Sequence, residues 1–464
     1  MTDQDYLSTL QHVKWGSASA AYQIEGATSQ DGRTPSIWDT FAATPGATTR
    51  GDTGDIACDS YRHPERILEA IEWLGLDTYR FSISWSRLIP NPDGVPNPPA
   101  VAYYRRLLEN LHQQGVTSVV TLYHWDLPQW LQDKGGWTSL ETVAAFRLFA
   151  QTAVQLFGDL VTNWITVNEP YCAAFHGHLS GLHAPGTRCE QIALRATLVL
   201  LQAHAEATQA IRTVDPQAHV SLALNLSDLV PASDSEADIK ATSRADLIEN
   251  RLFLDPILTG CLPADAEQYF GAKPLADALT GIDLDAINTP LDFIGVNYYE
   301  HNRIQASPDD HDLIIRGVRK LSNPQPCSAN GVAVCPSGFT RVLTRVATMA
   351  PQLPIWVTEC GIGLWDYIGP YQQCHDTERV DFLAAYMPAL ADAIVAGAKV
   401  EAFMLWALMD NFEWSNGYQL RYGLFYTDFA NGHLSPKNSA HWYRDHIKRC
   451  HWVAPEEQVH EPRN

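Results

Sequence analysis

The chain has 464 residues, of which 45% are hydrophobic and 18% are charged, so it has ample apolar material for a large folded core. Its 53 acidic and 32 basic residues give a formal net charge of −21 at pH 7. Such a charge repels phosphate backbones and anionic lipid surfaces, and we expect neither nucleic acid nor a membrane as a partner.

Short segments rich in β-forming residues alternate along the chain with longer segments of helical periodicity. The predicted strands are residues 13–23, 78–85, 118–125, 163–168, 219–225, 292–299, 354–359 and 400–406. Amphipathic helices are predicted between some of them at 64–74, 101–114 and 140–157. Eight alternations predict an α/β fold, a closed (β/α)8 TIM barrel with extended βα loops. We expect one domain over residues 1–464, since such barrels often exceed the usual domain length.

The start of the chain and its cysteines bear on where the protein works. Residues 1–11 contain no basic stretch followed by an apolar run, and no later window approaches about 18 uninterrupted apolar residues. The nine cysteines are scattered without CxxC pairing, which favours reduced thiols. We therefore expect a cytoplasmic protein. Cys327 and Cys335 are near enough in sequence to bridge a loop, and a disulfide between them is the less favoured alternative.

Polar and aromatic residues follow the apolar part of each predicted strand. They are Gln23 and Glu25, Arg80, His124 and Asp126, Asn168 and Glu169, Asn225, Asn297 and Tyr299, Glu359, and Trp406 with Glu413. In a barrel these strand ends converge on the face where active sites lie. A doubly wound open sheet is the structural alternative, but no GxGxxG or GxxxxGK[ST] motif follows any of the strands.

Two glutamates at strand ends suit glycosidic chemistry. Glu169 ends the fourth predicted strand and Glu359 the seventh, so we expect them on opposite sides of the barrel mouth. Hydrolysis of a glycosidic bond needs one carboxyl group to protonate the leaving oxygen and a second to attack the anomeric carbon or to activate water. Asn168 is suited to donate to a substrate, and Arg80 and Tyr299 are suited to donate to Glu359 and keep it ionised.

Nine stretches of the sequence are together highly specific. They are AAYQIEGA at 20–27, PSIWDTF at 35–41, YRFSISWSRLIP at 79–90, TLYHWDLPQWL at 121–131, TVNEP at 166–170, GLHAPG at 181–186, GVNYY at 295–299, VTECG at 357–361 and LMDNFEWSNGY at 408–418. With these stretches the chain resembles glycoside hydrolase family 1 nearly from end to end. The resemblance implies a retaining β-glycosidase, and a β-glucosidase first of all, with Glu169 as acid/base and Glu359 as nucleophile. It also implies a covalent glycosyl-enzyme and carboxyl groups roughly 5 Å apart, with no cofactor and no metal.

The same resemblance implies a pocket for the sugar at the reacting subsite. Its residues are Gln23, His124, Asn168, Tyr299, Trp406, Glu413 and Trp414. Amide and carboxyl groups suit the hydroxyl edge of a sugar, and an indole suits its C–H face. A carboxylate at Glu413 repels a 6-phosphate, and Leu420 stands where relatives acting on phosphorylated sugars carry lysine, so we expect a neutral sugar. Glucose is the expected sugar, with galactose and fucose as alternatives.

One residue departs from the family pattern, and two other function classes stay open. Cys360 stands where the family usually has asparagine after the nucleophile, and we expect the chemistry to survive with an altered position of the loop towards the aglycone. A barrel metallohydrolase is the second function class, because His176 and His178 resemble a pair of metal ligands, although the strand ends otherwise lack metal ligands. A catalytically silent sugar-binding barrel is the third class, but such a module has no need of both glutamates. A homo-oligomer is compatible with the sequence.

Overall fold

The computed structural model describes residues 3–308, 314–322, 326–371 and 373–451. Eight parallel strands close into a barrel in which each strand pairs with the next along the chain and the last pairs with the first. They are β1 (Lys14–Ala18), β2 (Thr78–Ser82), β3 (Thr117–Tyr123), β4 (Asn163–Asn168), β5 (His219–Asn225), β6 (Ile294–Tyr298), β7 (Ile355–Cys360) and β8 (Val400–Trp406). The predicted barrel fold is confirmed. The ends of the expected domain, 1–2 and 452–464, lie outside the described residues.

Burial on both faces explains why the strands are nearly continuous apolar runs. Every residue of β2 and of β4 is buried. Side chains alternate along a strand, so Val119 of β3 packs with Trp356 and Met404, whereas Val120 belongs to the core shared with the helices. The barrel interior is therefore a packed core, and chemistry is left to the groups near the strand ends.

Strand boundaries agree with the sequence to within two residues except at the first two strands. Three predicted strands have the observed bounds, namely 163–168, 219–225 and 400–406. The prediction 13–23 is too long, because β1 ends at Ala18 and a helix follows at Ala21–Ile24. The Ala21 amide donates to Ser82 Oγ over 2.7 Å, which satisfies a donor that the first helical turn leaves unpaired. Similarly, β2 ends at Ser82 and the short helix Trp85–Leu88 follows.

Helices cover the outside of the barrel and fill its connections. The α-helices are Asp3–Leu10, Ala21–Ile24, Ile37–Ala42, Glu65–Leu74, Trp85–Leu88, Pro98–Gln113, Gln129–Gln132, Leu140–Phe157, Glu190–Val214, Glu236–Asp246, Leu252–Thr259, Ala266–Phe270, Ala272–Ala278, Leu284–Ile287, Pro336–Met349, Thr377–Val395 and Asn438–His451. Helical turns of the 3-10 and π types are Thr49–Gly51, Gly136–Thr138, Cys172–Ser180, Leu247–Arg251 and Trp414–Asn416. All three predicted helices are present, one of them with the observed bounds.

Helix Glu65–Leu74 shows how the sequence produces these elements. Its buried residues are Ile67, Ala70, Ile71 and Leu74. They recur every three or four positions, which places them on one face of the helix. Gly75 then adopts a φ of +69° and its amide donates to the Ile71 carbonyl. Glycine ends the helix here because the left-handed conformation carries no Cβ penalty for it.

Small sheets add a rim at the C-terminal side of the barrel. A three-stranded sheet is formed by Asp228–Pro231, His301–Ala306 and Val318–Leu321. Its first two strands follow β5 and β6 directly, so it lies beyond the ends of those strands. A second sheet, Phe425–Asp428 with His433–Pro436, follows β8. Among the described helices, none is long and apolar enough to cross a membrane.

Candidate active site

A cavity of about 360 Å³ lies at the C-terminal ends of the barrel strands. Seven of the predicted site residues line it, namely His124, Glu169, Tyr299, Glu359, Trp406, Glu413 and Trp414. The other three are buried and hydrogen-bonded to lining residues, and they are Gln23, Arg80 and Asn168. The structure thus brings all ten residues together around one cavity.

Glu359, near the end of β7, is held by two donors. Arg80 Nη1 lies 2.6 Å from Oε1 and the Tyr299 hydroxyl lies 2.8 Å from Oε2. Burial raises the pKa of Glu359, while the charge and hydrogen bond of Arg80 and the hydroxyl of Tyr299 oppose that rise. These are the two donors expected from the sequence.

Glu169 follows β4 and has a backbone φ of +46°. This conformation costs a non-glycine residue free energy and is common at functional sites. Asn297 Nδ2 donates to Glu169 Oε1 over 2.7 Å. Burial, followed by the negative charge of Glu359, raises the pKa of Glu169 to about 8. Glu169 has a neutral amide where Glu359 has a guanidinium, and its raised pKa keeps Glu169 protonated near neutral pH.

A hydrogen-bonded network joins the two glutamates. Arg80 Nη2 donates to Asn168 Oδ1 over 2.6 Å, and Asn297 Nδ2 lies 3.1 Å from the same oxygen. Arg80 also binds Glu359 and Asn297 also binds Glu169, so each acid is held through residues of other strands. The sequence did not single out Asn297 as a partner of Glu169. Its only signal was a polar residue at a strand end, and the contact depends on how the strands are arranged.

Arg80 lies elsewhere in its strand than the sequence suggested. It was expected at a C-terminal strand end, but it occupies the centre of β2 and is 1% exposed. Its long side chain spans the remaining distance, because Nη1 reaches both Glu359 and the Thr358 carbonyl at 3.1 Å. The guanidinium of Arg80 can therefore hold Glu359 from below the strand ends without lining the cavity itself.

His124 follows β3 and is buried. Burial, and then the charge of Arg80, hold the pKa of His124 well below its usual range, so the ring is neutral. Its Nε2 lies 3.1 Å from Asn168 Nδ2. A neutral ring that accepts this amide proton carries its own proton on Nδ1. Nδ1 has no hydrogen-bond partner in the part of the chain that the structure describes, so this N–H is available to a hydroxyl group. The Asn168 amide oxygen, in contrast, is used by the protein.

Gln23 and Glu413 form a polar edge of the cavity. Gln23 lies on the short helix after β1 rather than in the predicted strand, and its Nε2 donates to the Phe412 carbonyl over 2.9 Å and to Glu413 Oε2 over 3.4 Å. Its Oε1 is buried and has no partner among the described residues. Burial, and then the charge of Glu359, raise the pKa of Glu413 to about 8. An unused acceptor thus lies beside a carboxyl group, which suits neighbouring hydroxyls of a sugar.

Aromatic rings form another part of the cavity wall. The His124 ring is stacked on Trp406 with centroids 5.6 Å apart. Trp414 packs against Trp38 and Trp125 with centroid distances of 4.5 and 4.6 Å. Trp125 also lines the cavity, and the sequence did not single it out, because one tryptophan beside a polar residue resembles any packed tryptophan.

The cysteine pair forms no disulfide, and the histidine pair belongs to no group of potential metal ligands among the described residues. Cys327 and Cys335, both among the described residues, are not joined by a disulfide, so the less favoured alternative is wrong. Cys360 is fully buried at the end of β7. Over the described residues, the one group of three potential metal ligands is Asp228, His301 and Cys335. Neither His176 nor His178 belongs to it.

Known proteins resemble this chain over nearly its whole length. The sequence model described as Glycosyl hydrolase family 1 matches residues 8–451. The chain belongs to this family. This family 1 glycosyl hydrolase is 38% identical to Beta-glucosidase A of Thermotoga maritima, over 94% of this chain and 96% of that protein. It is 37% identical to a bifunctional beta-D-glucosidase/beta-D-fucosidase of Bifidobacterium breve, over 93% of this chain and 96% of that protein.

Solved structures of similar proteins have the same fold. The family 1 b-glucosidase from Thermotoga maritima superposes with a TM-score of 0.90 at 37% identity, covering 95% of this chain and 97% of that one. The AHE enzyme from Alicyclobacillus herbarius superposes with a TM-score of 0.91 at 38% identity, with coverage of 95% and 97%. These comparisons confirm the family, the barrel fold and the enzyme class, glycoside hydrolase, that the sequence predicted.

Proposed function

We propose that this family 1 glycosyl hydrolase is a retaining β-glucosidase that removes terminal β-D-glucosyl residues from small β-glycosides and oligosaccharides. One observation carries the proposal: Glu169 and Glu359 line a single buried cavity and have different hydrogen-bond partners. Relatives from Thermotoga maritima and Acetivibrio thermocellus, at 38% and 36% identity, are both named Beta-glucosidase A, and their names support the same activity here.

The first step uses the two acids in complementary states. Glu359, as a carboxylate, attacks the anomeric carbon while the bond from that carbon to the leaving oxygen breaks. Glu169 transfers its proton to the leaving oxygen. The step yields the free aglycone, an ionised Glu169 and a glycosyl ester on Glu359. Arg80 and Tyr299 keep the attacking carboxylate ionised and oriented.

The second step reverses the roles. Glu169 takes a proton from a water molecule whose oxygen attacks the anomeric carbon, and the bond to Glu359 breaks. Two inversions at the same carbon leave the β configuration unchanged. In the ester Glu359 carries no negative charge, so one of the causes that raise the pKa of Glu169 is absent. The pKa of Glu169 is then lower than in the free enzyme. Glu169 can therefore act as a base in this step after acting as an acid in the first.

The polar edge and the aromatic wall bind the sugar that is transferred. Gln23 Oε1 and His124 Nδ1 supply an acceptor and a donor that the described protein groups leave unused, and Glu413 adds a carboxyl group beside them. Trp406 and Trp414 face the C–H surface of the ring. These five residues define a compact subsite for one hexose.

The proposed sugar is neutral. Glu413 offers a phosphate group no positive charge and repels it wherever the carboxyl is ionised, and Leu420, 2% exposed, supplies no cation. Glucose is the proposed main substrate, and fucose is proposed as a second one because the Bifidobacterium breve relative is named for both activities.

The wider biological setting belongs to the same proposal. We propose that the barrel and its rim act as one catalytic domain. Two relatives from Thermotoga neapolitana are named 1,4-beta-D-glucan glucohydrolase, which supports a part in the breakdown of cellulose-derived oligosaccharides. A cytoplasmic site of action is supported by the nine cysteines, all among the described residues, which form no disulfide with one another.

The test replaces the nucleophile and supplies a substitute for it. Glu359→Ala should abolish turnover of an activated aryl β-glucoside, and added azide or formate should restore part of it by attacking in place of the missing carboxylate. Glu236→Ala, on an exposed helix position, is the matched control and should keep full activity. A Glu359→Ala enzyme as fast as the unaltered one would overturn the proposal. A panel of α- and β-linked aryl glycosides of several sugars, with and without chelator, then fixes anomer, sugar and metal dependence.

A further inference from the structure

The outer part of the cavity carries three charged side chains that the proposed mechanism does not use. Glu249, Glu300 and Lys320, called here the outer charge cluster, all line the cavity. Lys320 Nζ lies 2.9 Å from Glu249 Oε1 and 3.4 Å from Glu300 Oε2. An ammonium group is thus shared by two carboxylates at the wall of the pocket.

The cluster lies on the side of the acid. Its three residues lie beyond β5 and β6, because Glu249 is in the turn Leu247–Arg251 after β5, Glu300 follows β6 and Lys320 is in the rim strand Val318–Leu321. β5 pairs with β4, the strand before Glu169, whereas Gln23 and Glu413 follow β1 and β8 on the other side of the barrel. Because the acid protonates the leaving oxygen, the leaving group has to lie beside it. The cluster therefore faces the aglycone.

Buried charged side chains at the cavity wall cost free energy unless they interact with a partner or a ligand. Glu249 is 1% exposed and burial raises its pKa. Burial also disfavours the charged form of Lys320, but Glu249 and Glu300 outweigh it and raise the pKa of the ammonium well above its usual range. If the aglycone were apolar, uncharged side chains at this wall would cost less free energy than the three charged ones. The cluster is therefore better explained by a polar ligand.

Hydrogen-bonding positions of the cluster remain unused. Asn302 and Lys320 both donate to Glu300 Oε2, so Oε1 has no protein donor within the described ranges. Lys320 makes one hydrogen bond, to Glu300, and an ion pair with Glu249, which leaves at least one of its three N–H groups unused. Side-chain exposures of 42% for Glu300 and 25% for Lys320 leave both groups accessible. A donor and an acceptor side by side match adjacent hydroxyls of a sugar ring.

We infer that the outer charge cluster is a specificity determinant that selects a polyhydroxylated aglycone, such as a second sugar unit, over an apolar aryl group. This inference rests on the proposed function, because Glu169 as acid defines the leaving-group side. An aryl ring at this position would remove water from the ammonium of Lys320 and the carboxylate of Glu300 without replacing its hydrogen bonds. Sites built to bind hydroxyl groups reject ligands that lack them for this reason.

The principal test is Glu300→Leu, assayed on cellobiose and on phenyl β-D-glucoside. The exposed position of Glu300 and the remaining Lys320–Glu249 ion pair keep this variant folded. We expect kcat/KM for cellobiose to fall at least about tenfold, and kcat/KM for the phenyl glucoside to change by about twofold or less. Glu236→Leu, the same substitution on the exposed helix, is the control and should change neither value.

A second variant removes the other half of the cluster. The double substitution Glu249→Gln with Lys320→Met leaves no lone buried charge, and it should lower the ratio of the two kcat/KM values in the same direction. A ratio within about twofold of that of the unaltered enzyme in both variants would overturn the inference, as would equal losses on both substrates. Failure of the proposed function is distinct, since the unaltered enzyme would then hydrolyse neither substrate.

Discussion

Tyr299→Phe tests how the protein controls the ionisation of Glu359. The Tyr299 hydroxyl donates to Glu359 Oε2 over 2.8 Å, and Arg80 holds the other oxygen. A hydrogen bond to a charged group contributes about 1.5–3 kcal/mol, and one pKa unit corresponds to about 1.36 kcal/mol. Loss of the hydroxyl removes a donor that favours the carboxylate, so the pKa of Glu359 should rise by about one to two units.

The assay is the pH dependence of kcat/KM on an aryl β-glucoside. Glu359 has to be ionised to attack, so its protonation sets the acidic limb of the profile. A higher pKa for Glu359 moves this limb to higher pH by the same one to two units, roughly. At a pH well below the optimum, kcat/KM should fall about ten- to hundredfold relative to the unaltered enzyme, with a smaller loss at the optimum.

Tyr298→Phe is the matched control. The Tyr298 hydroxyl donates to the Cys335 carbonyl over 3.2 Å, away from Glu359. Its removal should lower the free energy of unfolding by about 1 kcal/mol and leave the acidic limb in place. If the acidic limbs of Tyr299→Phe and Tyr298→Phe coincide, the reasoning about Glu359 is refuted.

Three further predictions concern the acid and the loop beside the nucleophile. Glu169→Ala should slow a β-linked disaccharide far more than an aryl glucoside with a good leaving group, because only the poor leaving group needs a proton; equal losses would contradict the acid role. Burial and Glu359 raise the pKa of Glu169 from 4.5 to about 8, so kcat/KM should fall with rising pH above about 8, and this basic limb should be absent from Glu169→Ala. Gly361→Ala places a Cβ 2.1 Å from the Trp406 carbonyl oxygen, so the backbone has to move. The free energy of unfolding should fall by about 1–3 kcal/mol, and Tm and kcat should fall together. An unchanged Tm would argue against close packing there.

The barrel could be predicted because its signal is local. In β4, β5 and β8 the apolar run, its length and its flanking residues agree, and the predicted bounds are those observed. The first strand was predicted too long because the residues after Ala18 are also small and apolar, and the helix that begins at Ala21 is fixed by a hydrogen bond to Ser82. A contact between residues so distant in the chain leaves no pattern in either segment.

The same distinction applies to the residues of the site: those with a local signal in the sequence were predicted, and those defined by distant contacts were not. Glu169 and Glu359 were found because each ends a strand within a specific motif. The contact of Asn297 with Glu169 and the place of Lys320 in the cavity were not predicted, since their partners lie on other elements far away in the chain. The rim strand His301–Ala306 has one buried residue, so no alternation marks it as a strand. Long-range pairing and weak patterning thus account for what the sequence did not reveal.

The position of Arg80 in the middle of a strand has a consequence for how such an enzyme can diversify. Its contacts to Asn168 and Glu359 are made between strands of the closed barrel, whose geometry is set by backbone pairing all the way around. The segments of the rim lie outside this closed pairing and form small sheets of their own. Insertions or exchanges there can therefore alter which partner of the sugar is accepted while the bond-breaking groups keep their spacing, so selectivity and reactivity are free to evolve separately.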